Sequence, residues 1–396
     1  MKKYNISIIL LDTLRLDVFK EIDSKMNFLE GFERLEECIA PAPWTLPSHA
    51  SLFTGMYPSE HGAHETKEIK SLDIERIKLR KRTFIEDLNE LGYNTYAISA
   101  NPYVSPIYGF DAFNKFIEET YFVDVFGSIF ELPERAKKIA AKYRQIYGND
   151  PIKVSLSLLK EDKSLLLDII EGLFLLTPKE AIKKAKAKYI DGWPIEKGGK
   201  EIVKKVKKLE LKKPSFLFIN MMEAHDPYIG IKKDVDWSTP FMKKQPSKEE
   251  ISKWKELYYI ASKKAINYAD SIAKHLLDTF GEDQIIIVTS DHGQEFNEHG
   301  FIGHWVMLHD EIVKIPFLLK MPKEFEIKRS GKYISLVNVK NFLFEAIKGS
   351  RKASEKLYSK EVYSESFGMP ANITMIDGID KAKLMRSEKY RIRIFK

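Results

Sequence analysis

The chain of 396 residues, 44% hydrophobic and 31% charged, can bury one large core, or one core and a small lobe, as a soluble globular protein. Its net charge of +7 suits an anionic substrate, but the lysines are spread out and no helix-turn-helix, zinc-finger or RNA-binding signature occurs, which argues against nucleic acid as a partner. A single cysteine, Cys38, excludes an intramolecular disulfide framework and fits a reducing, cytoplasmic setting. The run Ile6 to Leu11 is too short for a signal sequence, and no apolar stretch of roughly 18 residues predicts a membrane span.

Asn5 to Leu11 is apolar without alternation, which predicts a strand buried on both faces of a parallel sheet. Asp12 follows at its carboxyl end, where open α/β sheets bind ligands; it is a candidate metal ligand, with a turn or cap residue as the alternative. In the stretch Ala42 to Gly62, Thr45 precedes Pro47 and a run from His49 that reads as the first turns of a helix. The Thr45 hydroxyl therefore stands at a helix entrance, where free N–H groups favour a phosphate- or sulfate-like anion; an ordinary helix cap is the plainer reading.

Lys81 to Leu91 reads as a helix stopped by Gly92, and Tyr93 to Ala100 as a strand ending at Asn101. The Asn101 amide is placed to serve a developing oxyanion, or is a plain loop residue before proline. Residues 121–189 turn lysine-rich and helical, which predicts an insertion in the sheet domain. Its apolar run 164–176 reads as a core helix of the insertion, with a lid or a lipid-surface helix as the sharper alternative.

Lys200 to Leu209 is a further helix, and Ser215 to Asn220 a further buried strand leading to His225. Lys248 to Phe280 has the length of a helix packed along the sheet. Gln284 to Ser290 is a β-branched strand running directly into Asp291, His292 and Gly293. An adjacent carboxylate and imidazole can share one divalent ion, and Gly293 lets the backbone turn away sharply. Beyond it, Ile334 to Val339 and Val339 to Lys348 predict a strand and a helix of a small C-terminal subdomain.

The pattern Thr45-x-Pro47-Ser48-x-Ala50-Ser51-Leu52-x-Thr54-Gly55-x-Tyr57-Pro58-x-x-His61-Gly62 resembles the signature of sulfatases in the alkaline phosphatase superfamily. A second match, Thr289 to Gly300, resembles the superfamily's metal-binding segment, and Asp12 to Asp17 its first metal segment. The resemblance implies an alkaline-phosphatase-like α/β sandwich: a mainly parallel sheet between helices, a catalytic domain over 1–120 and 190–325, the 121–189 insertion, and a small α+β subdomain over 326–396.

Departures from the sulfatase pattern carry chemical meaning. Sulfatases place a Cys or Ser at the Thr45 position, oxidised to formylglycine, and an Arg at the His49 position. Threonine bears a methyl on Cβ and cannot yield that aldehyde. Relatives with an unmodified Thr, among them phosphodiesterases and phosphoglycerol and phosphoethanolamine transferases, use the hydroxyl directly on phosphorus. Thr13 stands where many sulfatases have an Asp, and His292 where calcium sulfatases commonly carry Asn.

The resemblance thus implies one divalent ion, Mn or Zn more than Ca or Mg, held by Asp12, Thr45, Asp291 and His292. Thr45 is then the nucleophile, with His225, His304 and Asn101 serving the substrate's oxygens or leaving group, and with a second ion as the alternative ligand of His304. Phosphoester hydrolysis or transfer is the expected reaction; sulfate ester hydrolysis and a non-catalytic binding role are the alternatives. His49, His61, His299 and His309 have no assigned role.

Overall fold

A computed structural model of the chain describes residues 3–119, 197–226, 245–370 and 380–396, with a few single positions between them. The insertion over 121–189, with its apolar run and the question of membrane contact, lies outside the described residues, apart from isolated positions. Among the described residues no helix is long and apolar enough to cross a membrane.

In chain order the strands are β1 (Asn5–Leu11), β2 (Glu33–Ile39), β3 (Asn94–Ser99), β4 (Lys115–Glu118), β5 (Ser215–Met221), β6 (Gln284–Thr289) and β7 (Glu295–Phe296). There follow β8 (Ile302–Gly303), β9 (Lys314–Lys320), β10 (Tyr333–Ser335), β11 (Tyr358–Ser359), β12 (Val362–Ser366) and β13 (Arg391–Phe395). A 9-stranded sheet in the order β11-β10-β2-β9-β6-β1-β5-β3-β4 forms the centre of the molecule. It is mostly parallel; β9 runs antiparallel to both β6 and β2, and β11 antiparallel to β10.

β1 is central because every one of its residues is buried, a pattern that only a strand covered on both faces can satisfy. Its side chains alternate between two cores. Ile6, Ile8 and Leu10 pack with Trp44, Phe53 and Phe84, whereas Ile9 and Leu11 pack with Tyr258, Ile266 and Ile272 of the long helix Lys248–Phe280. That helix starts where Ser247 accepts the Glu250 N–H in a capping box and stops at Gly281. Parallel pairing of β1 with β5 and β6 sets Leu10 level with Asn220 and Thr289, so the loops after these strands open at one edge of the sheet.

In the segment 326–396, read from the sequence as a small α+β subdomain, two strands also extend the main sheet. Ile334 and Ser335 pair with Cys38 and Ile39, placing β10 and then β11 on the main sheet. The physical reason is that the outer edge of β2 offers unpaired backbone groups, which β10 satisfies while burying Ile334. Only β12 and β13 form a sheet of their own.

Candidate active site

The carboxyl ends of β1, β3, β5 and β6 carry Asp12, Asn101, the segment to His225, and Asp291 with His292. Across from them the helix Thr45–Thr54 begins at Thr45 itself. Trp44 occupies the cap position and no side chain caps the helix, so the Thr45 hydroxyl is not spent on its own backbone. Asp12, Asp291 and His292 are fully buried and Thr45 nearly so.

The His292 ring fixes the polarity of this group. Its Nδ1 lies 2.9 Å from the Gly293 carbonyl, which only accepts, so Nδ1 carries the proton and Nε2 presents its lone pair. That Nε2 is 3.3 Å from Asp291 Oδ2, 3.5 Å from Thr45 Oγ1 and 3.9 Å from Asp12 Oδ1. Asp291 Oδ1 receives the backbone N–H groups of Thr13 and His292, and Asp12 Oδ2 receives the Asn101 amide at 2.7 Å. Asp12 Oδ1 and Asp291 Oδ2 receive no hydrogen bond at all.

Two buried, orphaned carboxylate oxygens beside an imidazole lone pair suit a cation. Burial pushes Asp291 up to about 7, and burial followed by Asp291 pushes Asp12 up to about 6. Ligand atoms of Asp12, Asp291 and His292 lie within 4.8 Å of one another. This mixed oxygen and nitrogen donor set fits a divalent metal ion, with Thr45 Oγ1 beside it.

Next to this group stand the histidines read as substrate-side residues. His304 is buried, its ring centroid 4.4 Å from that of His292 and 5.0 Å from that of His225. His304 Nδ1 donates to Gln294 Oε1 at 2.6 Å, which leaves Nε2 as the free nitrogen. Burial, then His292 and His225, hold His304 well below 6.5, so it is neutral in the free protein. His225 donates from Nδ1 to the Asp226 carbonyl at 2.5 Å. Asn101 differs in detail from its expected service to an oxyanion: its amide donors already reach Asp12 and, at 3.3 Å, Thr45 Oγ1.

His49 and His61 have structural places. His49 Nδ1 donates to the Thr45 carbonyl and its Nε2 accepts from Asn220 Nδ2 at 3.2 Å. His61 accepts the Ala63 N–H on Nδ1 and donates from Nε2 to the Pro47 carbonyl, tying the short helix Pro58–His61 to the helix Thr45–Thr54. Burial lowers His61 to about 3. A histidine lowered by folding contributes stability that is present above its unfolded pKa of about 6.5 and is lost as pH falls toward the folded value. His61 is therefore expected to contribute a loss of about 1.4 kcal/mol per pH unit below about 6. Denaturant melts of the parent and His61→Asn between pH 6 and 4 check this: the slopes should differ by that amount, and equal slopes would refute it.

Several contributors escape sequence reasoning. Thr13, a β-branched residue, adopts φ 60°, a strained value that turns its N–H onto Asp291. Trp305, at φ 118°, stacks on His304 with centroids 4.5 Å apart. Gln294 is buried and orients His304, while its own Nε2 lacks a partner. Gly293 is required for a reason other than a left-handed turn: a Cβ there would sit 2.0 Å from the Glu311 carbonyl oxygen.

Two solved structures share this architecture. A 2-O GAG sulfatase superposes with a TM-score of 0.56 at 14% identity, covering 92% of this chain and 78% of that one. The phosphonate monoester hydrolase of Agrobacterium radiobacter gives 0.55 at 13% identity, covering 96% and 82%. At such identities the likeness concerns the fold, and it places the molecule in the alkaline-phosphatase-like class. The comparison with curated proteins returns no match. Residues 16–349, however, match the Sulfatase family, and the chain belongs to that family, whose members are hydrolases or transferases of sulfate or phosphate esters.

Proposed function

We propose that the chain is a metal-dependent hydrolase or transferase of phosphate esters, of the phosphodiester or phosphonate type, with Thr45 as its nucleophile. The observation that carries this reading is the uncapped Thr45 hydroxyl beside the orphaned oxygens of Asp12 and Asp291 and the lone pair of His292. A divalent ion bound by these residues supplies charge that favours the deprotonated hydroxyl and the anionic ester.

Asn101 holds Thr45 Oγ1 in place through its amide while that oxygen attacks phosphorus. The Thr45 oxygen, its proton given up to solvent beforehand, forms the new bond to phosphorus, and the ester oxygen leaves with the bonding pair. The helix entrance at Thr45 presents backbone N–H groups toward the phosphoryl oxygens. The negative charge of the arriving ester favours protonation of neutral His304, which with His225 serves the leaving oxygen. Water or an acceptor alcohol then attacks phosphorus and releases the Thr45 oxygen, with the deprotonated His304 Nε2 available to take the incoming proton.

A sulfated threonine lacks the geminal hydroxyl through which formylglycine enzymes expel sulfate, so sulfate turnover should be slow. With Mn, Zn, Mg or Ca supplied in turn, nitrophenyl phosphodiester or phosphonate substrates should react at least about tenfold faster than the matching sulfate, a barrier difference of about 1.4 kcal/mol. A sulfate preference would overturn the reading and favour sulfate ester hydrolysis.

A further inference from the structure

Besides Asp12, Asp291 and His292, and His225, Asp226 and His304 beside them, a further group of side chains able to hold a metal ion lies at the β7–β8 hairpin. One ligand atom from each of Glu295, His299 and His309 falls within 4.8 Å of the others. Glu295 is fully buried; one carboxylate oxygen, Oε1, pairs with His309 Nδ1 at 2.8 Å, and the other, Oε2, has no partner. The imidazoles of His299 and His309 lie tilted by 39° with centroids 4.1 Å apart, and His299 Nε2 also meets Glu311 Oε2 at 3.0 Å. Gln294 and Glu295 are successive residues of an extended segment and serve opposite sides, the first holding His304 in the active site and the second holding His309.

The local charge is unbalanced. Glu295, Glu298 and Glu311 converge here, yet the Arg15 guanidinium is taken by Asp17 and Glu298, and Lys255 also turns to Glu298. Among the described residues no Lys or Arg forms an ion pair with the buried Glu295 carboxylate, which leaves room for a cation from solution. The side chain of His299 is 45% exposed, so it can close toward the group while leaving a path of entry.

We propose that Glu295, His299 and His309, with Glu311 beside them, bind a second divalent first-row ion such as Zn²⁺, separate from the catalytic ion. Two imidazoles and a carboxylate suit zinc, whose ligands stand at about 2.0–2.2 Å, and the present spacing requires only a small inward movement of the exposed His299. The ion would clamp the hairpin that carries Gln294 to the segment leading into β9. Backbone bonds from Gly293 to Ile312 and from Gln294 to Glu311 already run along this seam. This site is structural, and it does not depend on which ester the enzyme cleaves.

Chelator-stripped protein titrated with Zn²⁺ against a chromogenic chelator tests this. An Asp12→Asn/Asp291→Asn variant, which disables the catalytic centre, should still bind about one Zn²⁺ per chain, and adding His299→Ala or His309→Ala should remove it. Zn²⁺ should raise the Tm of the first variant and leave that of the His299→Ala derivative unchanged. If the doubly substituted background does not fold, His299→Ala alone should lose one equivalent relative to the parent while keeping phosphodiester turnover. Retention of that equivalent in His299→Ala and His309→Ala, or its loss on His225→Ala instead, would overturn the proposal.

Discussion

Thr45→Ala should lower kcat by at least about a thousandfold, because a residue that forms the covalent bond cannot be replaced by binding energy from its neighbours. The fold should survive. The lost hydroxyl makes long contacts, 3.3 Å to Asn101 and 3.5 Å to His292, lies in hydrogen-bonding reach of the Asp291 carboxyl and caps nothing, so the stability cost should be about 1 kcal/mol. Thr45→Ser keeps the hydroxyl and should retain part of the activity. Denaturation and single-turnover assays on the three proteins separate these effects: an active Thr45→Ala protein would remove Thr45 from the mechanism.

Asp291→Asn should have a comparable effect on turnover, of about a hundredfold or more, and should release the ion from the stripped and reloaded protein. Its effect on stability should reverse with metal. Burial raises the Asp291 carboxyl to about 7, so in metal-free protein its favourable contribution is complete below its unfolded pKa of about 4 and is lost as pH rises through about 7. In chelator at pH 8, Asp291→Asn should therefore melt above the parent, and the gap should close toward pH 4. With the ion restored, the parent should be the more stable. Thermal melts at the two pH values, with and without metal, check this; an Asn variant less stable than the parent in chelator at pH 8 would contradict it.

The parts of the molecule legible in the sequence are those whose environment is uniform. β1, β5 and β6 are covered on both faces and read as unbroken apolar runs, and Lys248–Phe280 announces itself by its capping box and the glycine after it. β2 is a different case. Its residues alternate irregularly between buried and exposed, a bulge interrupts the pairing between Leu35 and Cys38, and Glu37 takes φ 58°, so neither period survives in the sequence. The place of β10 beside β2 is decided by the free edge of that strand, which no local pattern encodes.

The site divides in the same way. Asp12, Asp291 and His292 stand directly after buried strands, and the motif around Thr45 is contiguous, so residue type and position suffice to single them out. His304 was legible as a loop histidine, but its orientation depends on Gln294 and Trp305, which act only through tertiary contact. Thr13 carries its meaning in its backbone angle rather than its side chain. The pairing of Glu295 with His309 likewise arises only when the hairpin folds onto the segment before β9.

The central claim is a covalent bond between Thr45 and phosphorus, and the most direct test is the mass of the peptide containing residue 45. Protein mixed with a phosphodiester, quenched in acid and digested, should carry the substrate's phosphoryl group on Thr45, with the adduct absent from Thr45→Ala. With a nitrophenyl phosphodiester, whose leaving oxygen needs no proton, His304→Gln removes the proposed proton acceptor of the second step and should increase the trapped fraction. An adduct on another residue, one that persists in Thr45→Ala, or an oxidised side chain at position 45 would contradict the account.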